Sequence, residues 1–172
     1  MKILMLIDAL GIGGAETHTL TLAKELLKRG HAVEVVSAGG ELLPKLQNVG
    51  IKHTKIPNIC ENSGASVITL PIRLLTARNI IYRHVRSGRP NIVHAHTRRM
   101  AFLASGICKA EKIPLVTTAH ARFSMSAPKK VLSRWGDGTV AVSDDIKNHL
   151  LASTSIPLRQ IKVIFNGIEI PD

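Results

Sequence analysis

The sequence predicts an α/β protein built on a doubly wound, mainly parallel sheet with helices on both faces. Short apolar runs alternate with longer amphipathic segments along the chain, and strands separated by helices pair in parallel through crossovers. The first run, Ile3 to Ile7, leads through a glycine-rich turn, Leu10 to Gly14, directly into a helix. At 172 residues the chain reads as one domain, 1–172, long enough to bury a core.

Taken in order, Ile3 to Ile7 is apolar at every position, as expected of a strand buried on both faces, and Asp8 ends it. Ala15 to Arg29 carries Leu20, Ala23 and Leu27, widened by Leu22 and Leu26, which makes one apolar helix face. Lys28, Arg29 and Gly30 form its stop. Ala32 to Ser37 is a β-branched strand interrupted by Glu34. A short helical piece, Glu41 to Val49, leads to a strand over Ile51 to Ile56, whose His53 and Lys55 suit a sheet edge, and Asn58 to Ser66 reads as a loop.

Thr69 to Arg86 predicts a long helix, stopped by Gly88, with Leu70, Leu74, Ala77, Ile81 and Val85 inward and Arg73, Arg78, Arg83, His84 and Arg86 on its basic remainder. Ile72, Leu75 and Tyr82 flank the inward stripe. Ile92 to His96 is a strand, Met100 to Lys112 a helix and Leu115 to Thr118 a strand. A short helix is expected over Lys129 to Trp135, then a strand from Gly138 to Val142. Ser143 caps the next helix, with Asp144 and Asp145 in its first turn, and Lys162 to Phe165 is a last strand. No internal repeat is present.

A net charge of +11 points to an anionic partner: phosphorylated ligand, acidic membrane surface or nucleic acid. The scarcity of aromatic residues beside basic ones, and the lack of helix-turn-helix, RNP or KH signatures, argue against nucleic acid. Two cysteines, Cys60 and Cys108, are too few for a disulfide framework, which suits a reducing cytoplasm. No stretch approaches the ~20 apolar residues that span a membrane.

Strand, glycine turn and helix form the unit that places an anion over a helix N-terminus, where free N–H groups and the helix dipole both favour negative charge. The turn departs from the dinucleotide fingerprint. Gly11 and Gly13 fit, but Glu16 occupies the sixth position, and the second strand ends in Ser37, Ala38 and Gly39 without an acid for a ribose. A nicotinamide enzyme is therefore disfavoured, and no Gly-Lys-Ser/Thr follows to make a P-loop. Ligands of open parallel sheets bind at the carboxyl ends of the strands. In a sheet ordered 3-2-1-4-5, that rim collects Gly11 to Glu16, His96 with Arg98 and Arg99, and His120 with Arg122. His94 and His96 share a strand face and with His120 form a conceivable zinc set, yet no Asp or Glu lies nearby in sequence to support them. The expectation is therefore no metal, with His94 a hydrogen-bonded core histidine.

Five segments then come in a telling order: Gly13-Gly14-Ala15-Glu16, Ile92-Val93-His94-Ala95-His96, Thr117-Thr118-Ala119-His120, Ala141-Val142-Ser143 and Val163-Ile164-Phe165-Asn166-Gly167-Ile168-Glu169. In kind and spacing they resemble the N-terminal, acceptor-side domain of family-4 glycosyltransferases, enzymes of GT-B architecture. The resemblance implies a Rossmann-like domain, one half of a two-domain enzyme. Residues 166–172 would begin the interdomain linker, and a C-terminal donor-binding domain would lie outside this chain. It further implies a retaining transfer, without metal or cofactor, from a nucleotide-sugar donor to a glycan or lipid-linked acceptor in cell-envelope polysaccharide or lipopolysaccharide synthesis. Gly13, Gly14 and Glu16 would meet the donor, with His120 orienting it. His96, Arg98, Arg99 and Arg122 would line the acceptor side. The enzyme would be cytoplasmic, with peripheral contact to anionic membrane through its basic helix, and this half alone would be inactive or nearly so. The competing expectation is a stand-alone binding module for a phosphorylated or anionic ligand.

Overall fold

A computed structural model describes residues 1–59, 69–123 and 134–167. The strands are β1 (Lys2–Leu6), β2 (Ala32–Ser37), β3 (Lys52–Lys55), β4 (Ile92–Ala95), β5 (Leu115–Ala119), β6 (Gly138–Ala141) and β7 (Ile161–Val163). All pair in parallel in the order β3-β2-β1-β4-β5-β6-β7, so the expected 3-2-1-4-5 order holds and continues by two strands. The helices are α1 (Gly14–Lys28), α2 (Leu43–Asn48), α3 (Leu70–Gly88), α4 (Arg98–Glu111) and α5 (Asp144–Ser153). The short helix expected over Lys129 to Trp135 lies outside the described residues up to 133, as do the Asn58 to Ser66 loop from 60 onward and the linker from 168 onward.

Alternation along the strands sorts the core into two layers. Ile3, Met5, Val33 and Val35 face α1 and α2, burying Leu20, Ala23 and Leu46. Leu4, Leu6, Val36, Val93 and Ala95 face α3 and α4, against Ala77, Ile81, Val85, Met100 and Ala104. A smaller cluster sets Ile146 and Leu150 of α5 on Ala119 and Ala141. Among the described residues no helix is long and apolar enough to cross a membrane.

Three details depart from the sequence reading. Glu34 does not interrupt β2 but lies buried within it. There it accepts the Thr54 hydroxyl at 2.9 Å and meets His84 of α3 at 2.9 Å, so the polar atom is satisfied where it is desolvated. Gly88 is the last residue of α3, and the left-handed stop falls on Arg89 at φ 43°. Lys2 Nζ donates to the Gly88 carbonyl at 2.8 Å and ties this helix end to β1. Finally, α4 begins at Arg98, two residues early, because Thr97 caps it by accepting the Met100 N–H at 3.2 Å.

The glycine turn after β1 is braced from beneath. Leu10 donates to the Gly39 carbonyl at 2.8 Å and accepts from Leu42 at 2.9 Å. Gly40, at φ 145°, runs so close that a Cβ there would lie 2.5 Å from the Leu10 carbonyl. Position 40 therefore tolerates no side chain without moving the turn. Gly40→Ala is expected to cost about 1–3 kcal/mol, the usual range for overpacking against a fixed neighbour, read as a drop in thermal unfolding midpoint.

Candidate functional site

Because β1 lies between β2 and β4, the loops leaving β1 and β4 open on one lip at the carboxyl edge of the sheet. From β1 comes the turn into α1. Gly13 is extended and accepts the Thr17 N–H at 2.9 Å, so the helix begins with no side-chain cap and its first N–H groups are free of one. Among the described residues a Cβ on Gly14 would meet nothing within 4 Å, so this residue presents bare backbone. Glu16 folds its carboxylate back over Gly13, where a negative charge suits the helix end.

From β4 and β5 come histidines. Pairing of Met5 with His94, and of His94 with Val116, puts the His94 and His96 side chains on the α1 face of the sheet. His96 is anchored by its N–H to the Leu6 carbonyl at 2.8 Å and is 2% exposed, forming the floor of the lip. His94 lies deeper, with Nε2 2.7 Å from the Thr118 hydroxyl, as expected of a satisfied core histidine. His120 follows β5, and its Nε2 approaches His96 Nδ1 to 3.4 Å. His18 of α1 completes the group, its ring centroid 5.1 Å from His120 and 5.8 Å from His96. The glycine turn and His120 therefore belong to the same side of the molecule, joined by one turn of α1.

The cluster is electrically neutral near pH 7. Burial, then the neighbouring His18 and His120, hold the His94 ring down at about 4. Burial and then His18 hold His120 at about 4. Fully enclosed His96 is lowered well below the usual imidazole range by burial first and its three histidine neighbours second, and burial lowers His18. Neutral rings can each donate one N–H and offer one lone pair, which suits orienting hydroxyl groups and not carrying charge. His96 Nε2 and His120 Nδ1 are buried without a hydrogen-bond partner among the described residues.

The arginines are spread more widely. Arg99 reaches the Asp8 carboxylate at 3.1 Å, while Thr97 donates to the other Asp8 oxygen at 2.9 Å. Burial raises the Asp8 pKa, and Arg99 and Thr97 oppose that rise. Asp8 thus ties the end of β1 to the first turn of α4. Arg98 lies over the Phe123 ring at 4.7 Å, and Arg122 forms an exposed ion pair with Asp145 of α5. Of the expected site residues, Gly13, Gly14, Glu16, His96 and His120 gather around α1 and β4. Arg99 reaches back to Asp8 at the end of β1, while Arg98 stands over Phe123 and Arg122 against Asp145 of α5.

Sequence reasoning missed His18 and Asp8. His18 lies four residues beyond Gly14, one helical turn, so the spacing alone placed both on one face. The apolar stripe of α1 carries no signal for it. Asp8 was legible as the polar residue closing the first strand, but its link to Thr97 and Arg99 spans some ninety residues. A hollow of about 770 Å³ between Cys108, Lys112, Trp135 and Pro157 opens at the amino ends of β5 and β6, away from this lip.

Fold and site together define a Rossmann-like α/β domain of the kind that forms one half of GT-B enzymes. The sequence pattern of Glycosyltransferase Family 4 matches residues 12–170, and the chain belongs to that family. Among solved structures it is similar to a glycosyltransferase from Rickettsia africae, with 25% identity and a TM-score of 0.76 over 97% of this chain and 43% of that one. It is also similar to Anabaena HepE in complex with UDP-glucose, at 19% identity, a TM-score of 0.76 and coverage of 98% and 44%. The lipopolysaccharide outer core galactosyltransferase WaaB matches at 18% identity, a TM-score of 0.68 and coverage of 99% and 47%. The chain thus spans less than half the length of the structures it matches. Among curated proteins, none matches this sequence.

The histidine cluster makes stability depend on pH. His94 and His120 are neutral in the fold down to about 4, whereas free imidazoles take up protons below about 6.5. Between those values the unfolded chain binds more protons, so stability falls as pH falls. The unfolding midpoint is expected to drop steadily from pH 6.5 to 4, and His120→Gln to flatten part of that slope. An unchanged slope in the variant would contradict the assignment.

Proposed function

We propose that this chain is the acceptor-side half of a retaining glycosyltransferase. It would act with a donor-binding domain of the same protein to move a sugar from a nucleotide sugar to a glycan or lipid-linked acceptor. The observation that carries the reading is the convergence of the bare α1 N-terminus, His96 and His120 on one lip. Backbone N–H groups at Gly14 and Ala15 would face the donor diphosphate, and together with the helix dipole stabilise its charge as the leaving group departs, without a metal. Neutral His120 would hold the donor sugar or its leaving oxygen by an N–H bond, orienting it and making no covalent bond of its own. Glu16, an acceptor only, would address sugar hydroxyls beside the diphosphate. His96, Arg98, Arg99 and Arg122 would shape the acceptor side. Exposed Ile164 and Phe165, leaving β7 on the same edge, support a covering domain there.

The likeness to HepE, solved with UDP-glucose, and to a lipopolysaccharide galactosyltransferase supports a nucleotide-sugar donor and a cell-envelope product. With both halves present, Gly14→Val is expected to lower kcat/KM by about 10²-fold. The unfolding midpoint should move by less than about 2 °C, because the added side chain enters open space that the donor would need. Equal losses of activity and stability would make Gly14 a structural glycine and overturn the assignment.

We further propose a cytoplasmic enzyme in peripheral contact with anionic membrane through α3. Beyond its buried stripe, this helix exposes Ile72, Leu75 and Tyr82, and Arg78, Arg83 and Arg86 are exposed beside them. Apolar residues ringed by cations suit a headgroup layer. In liposome flotation the protein should rise with vesicles containing anionic lipid and stay down with neutral ones. Ile72→Asp with Leu75→Asp should abolish the difference, and flotation unaffected by lipid charge would refute the contact.

A further inference from the structure

We propose that His18, His96 and His120 form a binding site for a zinc-class divalent cation, with its fourth coordination position facing the open lip. One ring nitrogen from each of the three residues lies within 4.8 Å of the other two. A tetrahedral zinc with bonds of about 2.0–2.1 Å holds its ligand nitrogens about 3.3 Å apart. His96 Nδ1 and His120 Nε2 already stand at 3.4 Å, the length of one such edge. His18 must close by at most about 1.5 Å, and as a half-buried residue it has room to turn.

The donor chemistry selects the metal. Three imidazoles without a carboxylate suit zinc, nickel or copper, and not magnesium or calcium. Histidine binds metal as the neutral ring, and burial keeps these rings neutral, so a cation displaces no charge-bearing proton. The polar balance also favours an occupant. Facing nitrogens at 3.4 Å share at most one long hydrogen bond. Coordination would replace that weak contact with two strong bonds.

His94, which shares a strand face with His96, is not in the set. Its Nε2 is committed to Thr118, and its ring packs against His96 at 4.2 Å, fixing the orientation of the floor ligand. The third ligand comes from the helix that opens the glycine turn. A bound cation would consequently occupy the space where His120 is proposed to meet the sugar, so zinc would act as a reversible inhibitor of transfer and not as its cofactor. Binding itself is independent of that reading and can be measured without any nucleotide sugar.

The test is titration of the metal-free chain with Co²⁺, followed by Zn²⁺ competition, at pH 7.5. One tetrahedral Co²⁺ per chain, with intense visible absorption displaced by equimolar Zn²⁺, is the expected result. His18→Gln and His120→Gln should each weaken binding by at least about tenfold, since even loss of an outer-shell partner costs that much. In the unmutated protein, imidazole ¹⁵N resonances of His18, His96 and His120 should shift on adding Zn²⁺ while that of His31 stays in place. The last measurement needs no variant to fold. Absence of binding below about 100 µM Zn²⁺, affinity unchanged in both variants, or shifts confined to other histidines would each overturn the site.

Discussion

The rest of the structure depends on β1 having both of its edges filled. Its hydrogen bonds run to β2 on one side and to β4 on the other, so the chain first winds outward to β3 and then returns across the sheet. At that reversal the helices leave for opposite faces, which opens a crevice between the strand ends. The crevice is a geometric consequence of the strand order, and residues some ninety positions apart line it together. Lys2 binding the Gly88 carbonyl and Asp8 binding Thr97 and Arg99 then fasten the two ends of β1 to the returning half.

What fills the crevice is decided by a contest between solvation and proximity. Four imidazoles come together where water is largely excluded. Two charged rings about 5 Å apart would repel by ~3 kcal/mol at an effective dielectric of 20, and burial opposes even the first charge. All four settle as neutral rings in consequence. That state cannot neutralise a diphosphate, so any phosphate at this lip would rely on the N-terminus of α1, where bare Gly14 leaves room for close approach. The division of labour is consistent with the chemistry of each part: backbone for charge, imidazole for hydroxyl groups.

The chain's strong positive charge has a different location from its site. Arg78, Arg83 and Arg86 stand exposed on the outer face of α3, remote in the fold from the buried histidines. Arg99 is held by Asp8 and Arg122 by Asp145, so cations that sequence position assigned to the rim are partly consumed in holding neighbouring elements together. Charge counts alone did not reveal this, because a salt bridge depends on which helix face meets which strand end.

The sequence by itself determined the order and type of the elements, because apolar periodicity and glycine turns act locally. Ile3 to Ile7 reads as a strand, Leu20 with Ala23 as a helix face and Ser143 as a cap in any context, and those readings agree with the fold. It also determined that Gly13, Gly14, His96 and His120 would lie at strand ends, since that follows from counting elements along a parallel sheet. Only the tertiary structure decided that His18 closes on His96 and His120, that His94 turns to Thr118, and that Gly40 presses on the turn above it. Each of these depends on the rotation of a helix about its axis or the register between two strands. Those quantities are set when distant surfaces pack against each other, and no local pattern encodes them.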